Sequence, residues 1–302
     1  MKIFKKQLKV DLTPKIRKLE ALSRRVIREE GFGGEYKSSF KGAGIEFESY
    51  RQYINDYDDA DRIDWKASNR ARELLVKTYS EERGLDVFIL VDVSENMVFG
   101  SGEKLKNEYA IELIASLSHA ILEVGDNVGL ATFSDKPIIK MLPKRSPAQF
   151  YNITRALLDP NIYGGKFDFN AAMRFLFEFI DKPNTLVIII SDFTNLPSDW
   201  TNLLGIVGVK YDVIAIMVRD IRDKTLPEDG GEVLISDSKT GKQLLIDCKI
   251  IKKKFEEYVK KQEEEIKDTF LKYRIDFVNL TTNKSFVGPV LDYFTRRGAR
   301  WI

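Results

Sequence analysis

Cysteine and histidine are almost missing: the chain has one of each, Cys248 and His119. A single cysteine excludes an intramolecular disulfide framework and a Cys-rich zinc site. It fits a reducing, cytoplasmic compartment better than a secreted fold that needs staples. A single histidine excludes Ser-His-Asp and Cys-His catalysis unless a partner brings the imidazole, and with it the usual His-rich transition-metal centres. No run is long and apolar enough to cross a bilayer. The basic start has no apolar core behind it, so no secretory signal is expected. Charge of one sign is lacking too. Lys plus Arg number 48 and Asp plus Glu 46, a formal charge of +2, without the basic excess of a dedicated nucleic-acid binder. What is there is a 43% hydrophobic fraction in 302 residues, enough core for one large domain or two smaller ones.

Thr13-Pro14 reads as a cap followed by proline at the first helical position. Ile16, Leu19, Leu22, Val26 and Ile27 then recur at helical spacing until Gly31, Gly33 and Gly34 break the pattern. These glycines and Lys37-Ser38-Ser39 read as a loop. A phosphate cradle would need a strand before them and Gly-Lys-Ser/Thr after them, and neither is present. Ile45-Glu46-Phe47 alternates, Tyr50 to Asp59 is acidic and aromatic, and Leu74 to Tyr79 reads as a strand. This region is too polar for a core of its own and is expected to pack on the side or edge of the α/β segment C-terminal to it.

From Asp86 the pattern is α/β. Val87–Val91, Val128–Phe133, Leu186–Ile190 and Tyr211–Val218 are apolar runs of buried-strand length, with Pro137–Leu142 and Arg274–Leu280 as further strands. Helical segments are expected at Leu105–Val124, Pro147–Leu158, Asn170–Ile180, Ser198–Ile206, Lys249–Tyr273 and Ser285–Arg297. Val233–Ile235 and Leu244–Ile246 flank Ser238-Lys239-Thr240-Gly241, a hairpin signal. Strands alternating with helices imply a mostly parallel sheet covered on both faces.

Open α/β sheets bind ligands beyond the carboxyl ends of their strands. Two apolar strands end there in aspartate, giving Asp92-Val93-Ser94-Glu95-Asn96 and Ser191-Asp192-Phe193. A loop aspartate with a hydroxyl two residues on can turn two oxygens toward a hard cation such as Mg²⁺, with the second aspartate reaching it through water. The alternative is that both aspartates cap the loops and helices next in the chain. The residues alone leave both open.

Asp92-Val93-Ser94-Glu95-Asn96, the helix after it and Asp192 resemble a von Willebrand factor A domain, whose metal-ion-dependent adhesion site uses an Asp-x-Ser-x-Ser loop, a distant Thr and a distant Asp. Nearly the whole chain resembles the bacterial and archaeal "domain of unknown function 58" family. The residues that carry this are Gly44-x-Glu46-Phe47, Arg51-x-Tyr53, Asp58-Asp59, Arg62-Ile63-Asp64-Trp65-Lys66-Ala67-Ser68, Leu75-Val76-Lys77, Glu81-Glu82-Arg83, Gly125-Asp126-x-Val128-Gly129-Leu130 and Ser191-Asp192-Phe193, in that order. The resemblance implies an α/β, von Willebrand factor A-like (Rossmann-like) fold at 85–302 with a hairpin insertion near 230–247, preceded by an N-terminal accessory segment at 1–84. It also implies a protein partner, a MoxR-type AAA+ ATPase or its target, for which such chains act as adaptors or targeting factors.

Three departures bear on the site. The third loop position is Asn96, whose amide oxygen can still ligate. The Gly-Gly-Thr stretch appears as Gly164-Gly165-Lys166-Phe167-Asp168, and alignment on Ala171-Ala172-Met173 puts Phe167 where the threonine belongs. Asp168 could substitute if the loop shifts; alternatively the Lys166 ammonium takes the cation's place and neutralises Asp92 and Asp192. In the N-terminal motif, Tyr57 replaces the turn glycine before Asp58.

The expected metal set is therefore a degenerate one, Asp92, Ser94, Asn96, Asp168 and Asp192, holding no cofactor or only weakly bound Mg. Phe99, Tyr163, Phe167 and Phe193 are expected as apolar anchors around it, or as rings that close the top of the core. Trp65 is read as a packing anchor or an interface residue. Arg62, Asp64 and Lys77 are read as an ion-pair network, His119 as packed or superficial and Cys248 as a small apolar filler. The expected function is a non-catalytic protein-interaction module. The alternative is a Mg-dependent hydrolase or phosphoryl-transfer enzyme using Asp92 and Asp192. A nucleic-acid site on Arg296, Arg297 and Arg300 is disfavoured by the net charge.

Overall fold

Five apolar side chains in a row, Val87 to Val91, have no solvent-facing partner in their alternation, so both faces of that strand must be covered. In the computed structural model, which describes residues 13–29, 47–54, 58–79, 84–227, 232–236 and 243–299, this run is β3 (Asp86–Asp92), at the middle of a six-stranded sheet. Its neighbours are β4 (Asn127–Phe133) on one side and β6 (Leu186–Ser191) on the other, both parallel to it. Beyond β6 come β7 (Asp212–Arg219) and β10 (Asp276–Thr281), again parallel; beyond β4 lies β5 (Pro137–Lys144), antiparallel at the edge. Numbered from β3 within this sheet, the order is 3-2-1-4-5-6 with strand 3 reversed. This is the expected von Willebrand factor A-like, doubly wound sheet.

Alternate side chains of each strand enter opposite cores. Val87, Ile89 and Val91 pack with α3 (Lys106–Val124), α4 (Pro147–Leu157) and α9 (Val287–Ala299), and Phe88 and Leu90 with α5 (Phe169–Phe179), α6 (Leu204–Lys210) and α8 (Cys248–Lys272). The helix starts have identifiable caps. Ser146 Oγ accepts from the Ala148 amide before α4, Asp168 Oδ1 from Ala171 before α5 and Asp247 Oδ1 from Lys249 before α8. The segment expected as a helix from Ser198 is turn until α6 begins at Leu204.

The helix α1 (Thr13–Glu29) lays Leu19 and Val26 into the α3–α4 side of the core. β1 (Phe47–Gln52) and β2 (Leu75–Tyr79) pair antiparallel, with α2 (Trp65–Ala71) between them, capped by Asp64 through the Lys66 and Ala67 amides. Among the described residues, neither Ile63 nor Val76, the buried apolar pair of this unit, joins either main core. The four-residue α7 (Ile221–Lys224) comes after β7, and β8 (Glu232–Ser236) and β9 (Gln243–Asp247) form the expected antiparallel hairpin before α8. Cys248 is buried beside Leu226. No described helix is long and apolar enough to cross a membrane. The expectations for Gly31–Ser39, Ile45-Glu46, Tyr57, Glu81–Arg83, Ser238–Gly241 and Arg300 lie outside the described residues, as do the side chains of Arg62 and Lys77.

Candidate functional site

The strand order reverses between β3 and β6, and the ends of these two strands flank the crevice where such sheets bind ligands. Val91 pairs with Ile190, so Asp92 and Ser191 come side by side and Asp192 is next along the chain. Asp92 is buried. Its Oδ1 accepts from the Ser94 amide at 2.8 Å and its Oδ2 from Ser191 Oγ at 2.7 Å. Ser191 Oγ in turn accepts from the Phe193 amide at 3.1 Å. Burial and the neighbouring Asp192 charge push the Asp92 carboxyl up to about 7, against the pull of these hydrogen bonds. Among the described residues, buried Ser94 Oγ has no hydrogen-bond partner.

Asp192 is held differently. Its Oδ1 accepts from the Thr194 amide at 2.9 Å, and its Oδ2 from the Lys106 ammonium at 2.7 Å. Burial raises its pKa, but the Lys106 charge and hydrogen bond together with the Thr194 donors outweigh it and hold the carboxyl below the ordinary carboxylate range. Lys106 Nζ also donates to Asp223 Oδ2 at 3.0 Å and lies 5.5 Å from the centre of the Phe99 ring. At the end of β7, buried Asp220 accepts from the Ser101 amide and hydroxyl, the Arg222 amide and Thr282 Oγ1, and these donors outweigh burial to lower its pKa. The β3–α3 loop is thus tied to the β7 end at Ser101 and carries Phe99 over the ammonium.

The remaining loops close round this centre. Gly164 N donates to Val93 O at 2.8 Å and Glu95 N to Gly165 O at 3.0 Å, which needs the positive φ of both glycines, +119° and +82°. Asp168 N donates to Ser134 O at 3.0 Å.

The structure brings Asp92, Ser94 and Asp192 together and corrects several other expectations. Asp168 caps α5 rather than substituting for the missing threonine. Lys166 is exposed; the ammonium at the aspartates comes from Lys106, in the first turn of α3. Asn96 is half-buried on the turn after Ser94. Phe193 is not an apolar anchor for a partner. It adopts φ +48°, which turns its ring into the core against Phe270 and Phe169. Phe167 and Tyr163 are half-buried, Tyr163 with its hydroxyl donating to Leu157 O, and Phe99 is 42% exposed. Trp65 is 67% exposed, so it does not anchor α2 by packing. His119 is half-buried, edge-on to Phe150. Arg297 is buried on Asp212 and Asp276.

Lys106, Asp220 and Asp223 were not among the expected site residues. A signal for Lys106 was available. A cation in the first turn of a helix opposes the macrodipole, so a lysine opening the apolar Tyr109–Ile121 helix calls for a carboxylate partner elsewhere. As the residues stand, they do not fit a divalent ion. Each Asp92 and Asp192 oxygen already accepts one hydrogen bond, and, although a second lone pair remains on each, an ion on Asp192 would sit against the Lys106 charge. Among the described residues, no three His, Cys, Asp or Glu side chains stand together in an arrangement that could hold a metal.

Uncharacterized proteins of Mycobacterium bovis and Mycobacterium tuberculosis are each 27% identical over 211 residues, 69% of this chain. The match spans 65% of the length of these relatives. Among solved structures, the conserved hypothetical protein BatB of Bacteroides thetaiotaomicron is similar at 13% identity and a TM-score of 0.47, over 72% of this chain and 98% of that one. The SpRpn10 VWA domain is similar at 14% identity and a TM-score of 0.34, over 44% and 75%. The strand order of the six-stranded sheet is that of a doubly wound α/β fold. A family model described as "Protein of unknown function DUF58" matches residues 49–265, from within β1 into α8 and through every residue of the carboxylate cluster, and the chain belongs to that family.

Proposed function

We propose that the protein is a non-catalytic interaction module that binds a protein partner through the strand-end face, a degenerate adhesion site. One observation carries the reading. The carboxylates of this face are spent on internal hydrogen bonds and ion pairs, while Val98 and Phe99 beside them stay 45% and 42% exposed. Polar groups that need nothing further from solvent, next to an exposed aromatic on a tied loop, make a surface that can dock at low entropic cost. Half-buried Tyr163 and Phe167 extend it, and exposed Trp65 is a second contact on α2. The family resemblance names the partner class, a MoxR-type AAA+ ATPase or that ATPase's target, with this chain as adaptor or targeting factor. A cytoplasmic location goes with this reading and agrees with the unpaired Cys248.

The test is a calorimetric titration of a purified MoxR-type ATPase with this chain and with its Phe99→Ser and Trp65→Ser variants. Phe99→Ser should weaken binding at least about tenfold, as loss of an aromatic hot spot does, without moving the melting point. Binding that neither variant alters sinks the strand-end reading.

A Mg-dependent hydrolase or phosphoryl-transfer enzyme is the second reading. In its favour, Asp92 carries a perturbed carboxyl of the kind found in acid–base sites. Against it, Asp92 is sealed and both its oxygens are engaged. Nucleotide or phosphoester turnover that requires Mg²⁺ and is lost in Asp92→Asn would restore it.

A further inference from the structure

Lys106 stands in the first turn of α3, where the helix macrodipole is positive, with only 3% of its side chain exposed. Burying an ammonium costs far more than a surface ion pair returns, so it persists only where geometry compensates it closely. Here two carboxylates do so, and each is anchored independently of the lysine. Asp192 also accepts from the Thr194 amide and Asp223 from the Asp220 amide. The ammonium therefore ties together three separate elements: the start of α3, the loop after β6 and the turn α7. The exposed Phe99 ring covers it from outside.

Tying a strand-end aspartate to a neighbouring loop is what a divalent ion does in the adhesion site that this loop resembles. We infer that in this chain the Lys106 ammonium is the resident cation of the strand-end face, so that the face is assembled without a divalent ion. The inference goes beyond the interaction reading: it concerns the free chain and stands or falls whatever partner is found. One group opposes it. The buried, unpartnered Ser94 hydroxyl is what a bound ion would satisfy, which makes metal titration of the unaltered protein the decisive arm.

The experiment measures melting midpoints of the full chain in EDTA and in millimolar Mg²⁺ or Mn²⁺, with calorimetry of Mn²⁺ uptake. The unaltered protein should melt at the same temperature in all three and take up no ion. Lys106→Ala strands the Asp192 and Asp223 charges and should melt lower in EDTA by on the order of 10 °C, and either ion should restore part of that loss. In Lys106→Ala/Asp192→Asn one stranded charge is removed, so the double variant should melt above Lys106→Ala in EDTA even if the single variant fails to fold there. Stoichiometric Mn²⁺ uptake by the unaltered protein, with a rise in its midpoint, would overturn the inference. So would a Lys106→Ala variant whose loss neither ion repairs, or a double variant no more stable than the single one.

Discussion

Ser191 donates its hydroxyl to Asp92 Oδ2 at 2.7 Å, joining the ends of the two strands that flank the switch point. The bond favours the charged carboxylate but does not outweigh burial and the nearby Asp192 charge, which leave Asp92 at about 7. A carboxyl whose folded pKa lies above its unfolded value binds protons more tightly in the folded state. Its contribution to stability is present in acid and is lost as pH rises from about 4 through about 7. Asp192, held low by Lys106 and the Thr194 donors despite its burial, acts in the opposite sense: its contribution is present above about 4 and is lost as pH falls. Asp92→Asn removes the first effect and keeps an oxygen for the Ser94 amide. We expect the variant to melt above the unaltered protein at pH 8 and the difference to shrink at pH 5. Unfolding midpoints at the two pH values decide it; a difference that grows toward acid would contradict the assignment.

Phe193 and Phe99 are aromatic residues on neighbouring strand-end loops with opposite fates. Phe193 is sealed against Phe270 and Phe169, and truncating it should cost about 3–5 kcal/mol, the usual range for a buried phenylalanine. Phe99 is 42% exposed, and Phe99→Ser should stay within about 1 kcal/mol. Urea unfolding of Phe193→Ser and Phe99→Ser measures both. Equal losses would mean that the Phe99 ring is part of the core and not a docking surface.

The sheet was legible because its inner strands need apolar side chains on both faces, which writes them as unbroken runs, ending in Asp92 at β3 and in Ser191 just before Asp192 at β6. The meeting of Asp92 with Asp192 comes from strand order and was equally legible. The occupant of the site was not. The expected ammonium, Lys166, was sought in the loop that lacks threonine, whereas Lys106 reaches Asp192 across 86 positions of sequence. Nothing in local spacing records that approach. A phenylalanine after a strand-end aspartate reads equally as an apolar anchor or as a ring closing the core, and only the fold, with Phe193 at φ +48° and its ring against Phe169 and Phe270, separates the two. An isolated tryptophan reads as a packing anchor or as an interface residue, and its 67% exposure at the first position of short α2 speaks against the packing role alone.

The Ser101–Asp220 contact should govern the order of the Phe99 loop. Asp220 accepts the Ser101 amide at 3.0 Å, and inside the same loop the Lys106 amide donates to Phe99 O at 2.8 Å. Gly100 lets the chain close there, since a Cβ would stand 2.6 Å from Lys104 O. Asp220→Ala removes the acceptor for Ser101. We expect faster amide exchange at Ser101 and Lys106, with β3 and β6 unchanged. Unaltered exchange in this loop would show that Phe99 is placed by Lys106 and Gly100 alone.

The last expectation concerns the docking of α9 across the sheet edge. Arg297 Nη1 donates to Asp276 Oδ2 and to the Tyr293 hydroxyl, each at 2.8 Å, and Nη2 pairs with Asp212. One guanidinium thus joins α9 to the starts of β7 and β10. Burial of the arginine opposes its charge, but Tyr293 and Asp212 favour it, and its pKa is raised. Arg297→Met keeps the apolar stem and removes the charge, so that Asp276, 22% exposed and still accepting from the Tyr293 hydroxyl, and Asp212, 40% exposed, lose the guanidinium. A sealed pair broken on one side costs about 3–5 kcal/mol; water reaching both aspartates should reduce this to about 2–3 kcal/mol. If Arg297 served nucleic acid instead, the substitution would leave stability unchanged and abolish retardation of a DNA or RNA probe. We expect the reverse, a lowered unfolding midpoint with no probe retardation before or after the change, because a guanidinium already shared between two carboxylates has no charge to offer a phosphate.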